Sequence, residues 1–238
     1  MQKNLQTRFS TRQYMLSRDF ELYYYNEHYT SKVDTHTHDY YEFYFFMEGD
    51  VSIEIEGQRY PLRYGDMVVI PPHRRHRAVV HNHAQAYRRF VFWVSREYAS
   101  RLMELSPAYG YLMQRAEVSG KNVFHSDVIT FNATQFKIFQ LIEEMQMERF
   151  GREARIPLLV NDLILHLNRM VYEEETYYFA KNLQGDVISI TRDTGLEIAR
   201  YSYDAWGKCT ITAAVETWQE VAEANVYRYR SYVYDSDL

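Results

Sequence analysis

The feature that most constrains the fold is a series of short apolar strands between residues 41 and 94, separated by regular turn signals. Val51, Ile53 and Ile55 alternate with polar residues, which is the two-residue period of a strand. Turn signals share glycine or proline and recur along this stretch, at Gly49, Gly57-Gln58, Tyr64-Gly65-Asp66 and Pro71-Pro72. Short strands with turns at this spacing predict a β-sandwich or a small barrel.

Changes in pattern divide the 238 residues into four stretches. Residues 1–18 form a basic N-terminal arm, which is interpreted either as a frayed end or as an arm that folds over a pocket. Residues 19–96 have the strand pattern, and residues 97–174 change to a helical period. Residues 175–238 return to tyrosine-rich strands, and the acidic run at 173–175 marks the boundary. The sequence therefore predicts a mainly β chain with some α-helix.

The helical stretch predicts a pair of long helices. Asn132 is expected to be the N-cap of the first, and the second is expected to start near Arg155 with Pro157 in its first turn. The apolar positions form stripes that are wider than one barrel face requires. The stripe of the first helix consists of Phe136, Phe139, Ile142 and Met145. That of the second consists of Ile156, Leu159, Leu163, Leu167 and Met170, with Leu158, Ile164, Leu165 and Val171 beside it. Such a pair either packs entirely within its own core or also covers a second subunit.

Charge and cysteine content exclude several classes of protein. The net charge is −5, with −6 in the last 66 residues and +1 in the first 172. The chain is therefore not expected to coat nucleic acid. A single cysteine, Cys209, allows no internal disulfide and favours a reducing compartment, which predicts a cytoplasmic protein. No apolar run approaches the roughly 18 residues of a membrane span, and the N-terminus lacks the apolar region of a secretory signal.

Histidines carry the chemistry of the strand region. His36, His38 and Glu42 have the same parity, so on one strand all three would face the same interior, and His76 on a later strand could meet them there. Three imidazoles and a carboxylate are suitable ligands for a divalent transition metal. They suit equally well a site that grips the hydroxyls or carboxylate of a small ligand. Two further residues complete the predicted effector site, Tyr44 and Trp93.

A second group of basic residues lies close by in the sequence. The segment 73–77 contains three arginines, and Arg88 and Arg89 follow on a later strand. This group is interpreted as a solvated loop or as an anion-binding rim of the pocket, and the alternative is contact with nucleic acid.

The histidine spacing resembles that of the cupin superfamily. His36, His38, Glu42 and Gly49 match its first motif, H-x-H-x3-E-x6-G, without a gap. In the second motif Gly65, Pro71 and His76 match, while His73 and Val80 stand where the family has glycine and asparagine. The wider segment 36–76 resembles the N-terminal effector domain of AraC-type transcription regulators.

That resemblance, over residues 19–172, implies a cupin-type (double-stranded β-helix) barrel that binds a sugar-like or other polar effector. It further implies a helix pair that forms a homodimer, and a non-catalytic domain that requires no cofactor but has room for a divalent metal at His36, His38, Glu42 and His76. Contact with DNA would need a helix-turn-helix module that this chain lacks. The alternative is a metal-dependent cupin enzyme, an isomerase or a dioxygenase, using the same four residues.

The C-terminal stretch resembles the tyrosine-aspartate repeats of Rhs proteins. The signature runs from Tyr201 to Gly207, with the order Tyr-x-Tyr-Asp-Ala-Trp-Gly, and a second fragment starts at Tyr227. The resemblance implies one or two β-hairpins turning at Gly185 and at Thr194-Gly195. Isolated repeats bury little surface, so the tail aromatics Tyr201, Tyr203, Trp206, Tyr227 and Tyr229 are expected to be under-buried. A fragment of an Rhs-type repeat protein is the third interpretation of the chain.

Overall fold

The structure is a computed structural model, and it describes residues 5–28, 33–175, 177–192, 195–214, 219–225 and 228–231. Contacts within the chain divide it into two compact units, residues 1–171 and residues 172–238. The part of the chain that the structure describes contains no helix that is both long enough and apolar enough to cross a membrane.

The first unit contains eight strands in two antiparallel sheets. A five-stranded sheet has the order β1-β7-β2-β5-β8, and a three-stranded sheet has the order β4-β3-β6. The strands are β1 (Phe20–His28), β2 (Tyr41–Glu48), β3 (Val51–Ile55), β4 (Gln58–Pro61), β5 (Asp66–Ile70), β6 (His76–Val80), β7 (Ala86–Val94) and β8 (Val123–His125). The predicted cupin-like β-sandwich, mixed with helices and followed by hairpin strands, is confirmed.

Both faces of the large sheet are apolar because each covers a different core. On β7, Phe90 and Phe92 pack toward the helices, whereas Val91 and Trp93 pack into the interior between the sheets. Strand β2 alternates in the same way, with Phe43 on the helix side and Tyr44 on the interior side. The near-continuous aromatic run of β2 follows from this burial on both faces.

Four helices complete the first unit and cover one face of the large sheet. They are α1 (Arg96–Leu105), α2 (Tyr111–Ser119), α3 (Val128–Gln146) and α4 (Arg152–Glu175). Strand β8 lies between α2 and α3, within the stretch for which the sequence predicts helices, and it extends the large sheet by pairing with β5.

The predicted helix starts are wrong by about one turn. Helix α3 is capped by Asp127, whose carboxylate accepts from the backbone N–H groups of Ile129 and Thr130 at 2.8 and 3.0 Å, so Asn132 lies inside the helix. Helix α4 begins at Arg152, and Pro157 is therefore in its second turn. Of the predicted stripe on α3, Ile142 is buried, but Phe136 is exposed.

The second unit is a four-stranded antiparallel sheet with its own small core. Its strands are β9 (Tyr177–Lys181), β10 (Val187–Arg192), β11 (Glu197–Tyr203) and β12 (Cys209–Ala213), in the order β12-β11-β10-β9, and a short helix α5 (Gln219–Ala224) follows. The sheet is thus larger than the predicted one or two hairpins. The turn at Gly185 is confirmed, since its N–H donates to the carbonyl of Asn182 at 3.0 Å.

Burial of the tail aromatics differs from the expectation. Tyr201 is 2% exposed and donates its hydroxyl proton to the carbonyl of Ala222, because the sheet packs against α5. Tyr203 and Tyr229 are half-buried, and Trp206 is exposed. Thr194, expected in a turn, and Tyr227 lie outside the described residues.

We predict that Gly65 is far more sensitive to substitution than Gly57, although both have a positive φ (92° and 81°). A Cβ at Gly65 would lie 2.6 Å from the carbonyl oxygen of Ser126, whereas a Cβ at Gly57 meets no atom within 4 Å. Gly57→Ala should lower the free energy of unfolding by about 1 kcal/mol through backbone strain alone. Gly65→Ala should lower it by about 3 kcal/mol. Urea denaturation followed by circular dichroism measures both, and equal losses would contradict the prediction.

Candidate functional site

Two histidines of the site are joined by their backbones. His36 and His76 form an isolated antiparallel bridge, in which His36 N–H donates to the His76 carbonyl (3.1 Å) and His76 N–H donates to the His36 carbonyl (3.0 Å). His36 and His38 lie before β2 and not on it. They reach the interior because their segment pairs with β6. The predicted shared parity on one strand is not how the cluster forms.

A backbone carbonyl fixes the tautomer of each imidazole. The Nδ1 atoms of His36, His38 and His76 lie 2.9 Å from the carbonyl oxygens of Asp34, Tyr40 and Arg74, respectively. A carbonyl only accepts hydrogen bonds, so each Nδ1 carries the proton and each neutral ring has its lone pair on Nε2. This arrangement, a histidine held by a second hydrogen bond on its other nitrogen, is characteristic of metal ligands.

The three rings present their ligand atoms to one point. One ligand atom from each of His36, His38 and His76 lies within 4.8 Å of the others. The Nε2 atoms of His38 and His76 are buried and have no hydrogen-bond partner among the described residues. Buried polar atoms in native proteins are normally satisfied, so these two lone pairs indicate a place for a cation or a donor group.

Glu42 supplies the negative charge of the cluster. Its Oε2 accepts from Trp93 Nε1–H at 2.7 Å and lies 3.5 Å from Nε2 of His38. Burial opposes ionisation of this carboxyl, but the imidazoles of His38 and His76 in their protonated form, together with the hydrogen bond from Trp93, outweigh it and lower the pKa of Glu42 to about 2. Burial lowers the pKa of His76 to about 4, so at neutral pH that ring is uncharged and its lone pair is available.

A cavity of about 80 Å³ lies beside this cluster, inside the barrel. Five of the six predicted effector residues line it, namely His36, Glu42, Tyr44, His76 and Trp93. His38 lies behind them, with its ring stacked on that of Tyr40 at 3.9 Å between centroids. The structure thus brings all six predicted residues together around one interior space.

The far wall of the cavity is built by residues that the sequence analysis did not assign to the site. Tyr87 and Arg89 face the interior from β7, with the same parity as Trp93. The Tyr87 and Tyr44 hydroxyls are hydrogen-bonded to each other. Arg89 is only 4% exposed and lines the cavity, so it does not belong to a solvated loop, whereas its role in binding an anion at the pocket stays a prediction. Extending the Trp93 alternation backward along β7 would have found both residues.

The N-terminal arm forms part of the cavity wall. Phe9, Ser10, Arg12 and Gln13 line it, which agrees with an arm over a pocket rather than a frayed end for residues 5–18; residues 1–4 lie outside the described part of the chain. Arg12 donates to Glu21 at 2.9 Å, and its guanidinium lies 5.4 Å from the ring centroid of Trp93. The arm is therefore fastened to the same indole that donates to Glu42.

Residues 19–119 match the family model described as the AraC-like ligand binding domain. They form an AraC-like ligand-binding domain. The match begins just before β1 and ends with α2, so this AraC-like domain contains the histidine cluster and the lined cavity, apart from the arm.

Solved structures and curated proteins show more limited similarity. A Cupin 2 conserved barrel domain protein from Salinispora arenicola CNS-205 is 25% identical, with a TM-score of 0.31, over 35% of this chain and 69% of that chain. The DMSP lyase DddQ from Ruegeria pomeroyi DSS-3 is 22% identical, with a TM-score of 0.30, over 34% of this chain and 40% of that one.

Two curated nucleases share a shorter segment. The tRNA(Glu)-specific nuclease WapA of Bacillus subtilis subsp. natto (strain BEST195) is 46% identical over 61 residues, and the tRNA nuclease WapA of Bacillus subtilis (strain 168) is 44% identical over 61 residues. Each match covers 26% of this chain, and the chain spans about 2% of the length of those relatives.

Trp93→Phe is expected to destabilise the AraC-like domain by about 1.5 to 3 kcal/mol, because it leaves a buried carboxylate without its indole donor. Trp206→Phe is the matched control. Its indole is 93% exposed, so this change should alter the unfolding free energy by less than about 0.5 kcal/mol. Urea denaturation of both variants checks the difference, and a Trp93 variant as stable as the wild type would contradict this role of the hydrogen bond.

Proposed function

We propose that the first unit is the effector-sensing domain of an AraC-type transcription regulator. The observation that carries this proposal is the cavity, lined by polar groups from β2, β6 and β7 and by residues of the arm. Enclosed sites with a few convergent polar groups are typical of small-molecule binding. The domain binds its ligand without turnover, and a cytoplasmic location agrees with the unpaired Cys209.

A divalent metal is part of the proposed site. The residues present fit it: one ligand atom from each of His36, His38 and His76 lies within 4.8 Å of the others, the Nε2 atoms of His38 and His76 are buried without a partner among the described residues, and the Glu42 carboxylate is adjacent. Nitrogen donors with one carboxylate suit zinc and the later transition metals. When bound, such a metal supplies a Lewis acid that attracts an anionic or polar oxygen of the ligand.

The chain's own groups do the remaining work of the site. The carbonyls of Asp34, Tyr40 and Arg74 orient the imidazoles, and Trp93 orients Glu42. Because these groups are held before any ligand arrives, little ordering cost remains for binding.

Removal of one histidine tests the metal site. His76→Ala should weaken Co²⁺ binding by more than about 100-fold, since even loss of a ligand's supporting partner costs about 10- to 100-fold. The double variant His81→Ala/His83→Ala is the control, because these exposed residues have the same H-x-H spacing as His36 and His38. Isothermal titration of untagged protein measures the affinity. Equal binding by the wild type and His76→Ala would overturn this site.

The same cluster favours a second candidate, a metal-dependent cupin enzyme. Ionised Glu42 beside three imidazoles is a donor set that also supports catalysis. The two functions differ in outcome: a sensor returns its bound small molecule unchanged, whereas an enzyme converts it. Recovery of the ligand after prolonged incubation with metal-loaded protein, followed by NMR, distinguishes them.

Dimerisation through the helix pair is the second part of the proposal. Helices α3 and α4 are joined by the ion pair Lys137–Asp162 at 2.6 Å. The large apolar side chains exposed on these two helices include two pairs at seven-residue spacing: Ile129 (83%) and Phe136 (63%) on α3, and Leu158 (69%) and Leu165 (38%) on α4. Ile164, expected in the same group, is instead fully buried. Exposed apolar side chains of this kind are what a second copy of the chain would cover.

We expect the wild type to be a dimer of about twice 28.7 kDa at micromolar concentration. The double variant Phe136→Glu/Leu158→Glu should be a monomer, because each change places a charge in an apolar contact. Val118→Glu changes a residue of α2 that is 88% exposed, and it should leave the dimer intact. Light scattering measures all three. A monomeric wild type, or dissociation by Val118→Glu to the same extent, would contradict the proposed surface.

For residues 172–238 we propose an Rhs/YD-repeat-like fragment. The support is the way its signature builds a turn between β11 and β12. The Asp204 carboxylate accepts from the N–H groups of Trp206 and Lys208 at 2.9 and 2.8 Å, and Gly207 has a φ of 84°. A Cβ on Gly207 would meet the Tyr229 ring at 3.3 Å. The geometry of this turn therefore explains why the signature has an aspartate and a glycine at these two positions.

A further inference from the structure

We propose that the ligand of the barrel cavity is a small carboxylate of about two to four carbons, bound between the Arg89 guanidinium and the histidine cluster. This inference rests on the proposed sensing function, and it names the chemical class that the site would take.

Cavity size limits the ligand first. The volume is about 80 Å³, with the arm in place. An apolar cavity that binds benzene has about 150 Å³, and sites for drug-sized ligands have about 300 to 1,000 Å³. A six-membered sugar ring exceeds this volume, whereas a short carboxylic acid fits within it.

Arg89 supplies the group that selects an anion. It lines the cavity and is fixed by stacking, with its guanidinium carbon 3.8 Å from the Tyr87 ring centroid, 4.6 Å from that of Tyr25 and 5.4 Å from that of Phe9. A guanidinium held by aromatic rings presents its planar fork with little entropy left to lose. A carboxylate is the ligand that this fork matches in shape and charge.

Arg89 has donors remaining for a ligand. A guanidinium has five N–H donors. Contacts with described residues use Nη1, toward the Tyr87 carbonyl at 3.3 Å, and Nη2, toward Glu27 Oε1 at 3.2 Å. Glu27 is not among the residues that line the cavity, so its carboxylate compensates the buried charge from outside and leaves the inner edge of the guanidinium to the interior.

The opposite wall carries the histidine cluster, where the proposed metal would attract the same carboxylate. His36, His76 and Glu42 line the cavity there, and the charge of Glu42 is compensated by that of the proposed metal. With a divalent cation, the charges of the site sum to a net positive value, since the Arg89–Glu27 and Arg12–Glu21 pairs each cancel. An anion is then attracted, and a neutral sugar gains nothing from this field.

The test compares ligands of equal size and different charge on the full chain loaded with Co²⁺. Acetate and propionate are the probes, acetamide is the neutral match for acetate, benzoate is the oversized anion, and glucose is the neutral ring. Isothermal titration and the visible spectrum of Co²⁺ report binding. We expect acetate and propionate to bind and to change the Co²⁺ spectrum, and the other three not to bind.

Adjacent arginines on β7 provide matched variants. Arg89→Met should weaken carboxylate binding by about 10- to 100-fold, the equivalent of one lost charged hydrogen-bond pair. Arg88→Met alters the neighbour on the other face of the strand, which pairs with Glu48 at 3.2 Å, and it should leave the affinity within about twofold. Both should keep their Co²⁺ affinity. If Arg89→Met does not fold, Arg89→Lys retains the charge without the fork and should lose about tenfold.

Each other outcome overturns the proposal in a distinct way. Equal binding of acetamide or glucose would show a neutral effector, and the sensing function would stand without this ligand class. Co²⁺ binding without any carboxylate binding would support the metal site and contradict the proposed anionic ligand. Equal carboxylate affinity in Arg89→Met and Arg88→Met would remove the role of Arg89. Failure to bind either Co²⁺ or any small molecule would overturn the proposed function together with this inference.

Discussion

The bridge between His36 and His76 is the interaction on which the site depends. Two backbone hydrogen bonds join the segment before β2, a strand of the large sheet, to β6, a strand of the small sheet. The bridge sets the positions of both Cα atoms, and the carbonyls of Asp34 and Arg74 then turn each ring so that Nε2 points inward. The arrangement is thus fixed by the main chain, whose hydrogen bonds do not depend on which ligand is bound.

The burial of unpaired polar atoms in this cluster lowers the stability of the fold, and this cost indicates a binding site. Two imidazole nitrogens and the hydroxyl of Tyr40 are buried without a hydrogen-bond partner among the described residues, and each such group costs about 1 to 3 kcal/mol. A barrel selected only for stability would replace them with apolar side chains, as it does at Ile53 and Ile70 nearby. Groups kept at this cost are expected where a ligand or cation relieves it on binding.

The sequence predicts the parts of this molecule that repeat locally. Strand alternation and glycine turns predicted a β-sandwich or a small barrel. The H-x-H-x3-E spacing selected His36, His38 and Glu42, and its resemblance to the cupin motif implied the cupin type. The sequence could not show that His36 and His38 lie outside β2, because an isolated bridge leaves no periodic pattern in the sequence. Arg89 was misread because adjacent arginines suggest a surface, although the parity of Trp93 placed one of them inside. Asp127 was missed as a cap because the apolar stripe was traced from Phe136, which turned out to be exposed.

The cavity wall is assembled from segments distant in the chain, and one indole connects two of them. Trp93 donates to Glu42 on the side of the histidines, while Arg12 of the arm lies over its ring and binds Glu21 on β1. A ligand that moves Glu42 would therefore also affect Trp93, and Arg12 of the arm contacts the Trp93 ring. Arg12 is held by an ion pair with Glu21, whose side chain is 9% exposed. Elsewhere in the arm, the Thr7 N–H donates to the Tyr24 carbonyl and Gln6 Nε2–H donates to the Asn26 carbonyl, both at 2.7 Å. The arm is therefore attached to β1 at several points, so backbone and side-chain contacts together position the part of the cavity wall that it supplies.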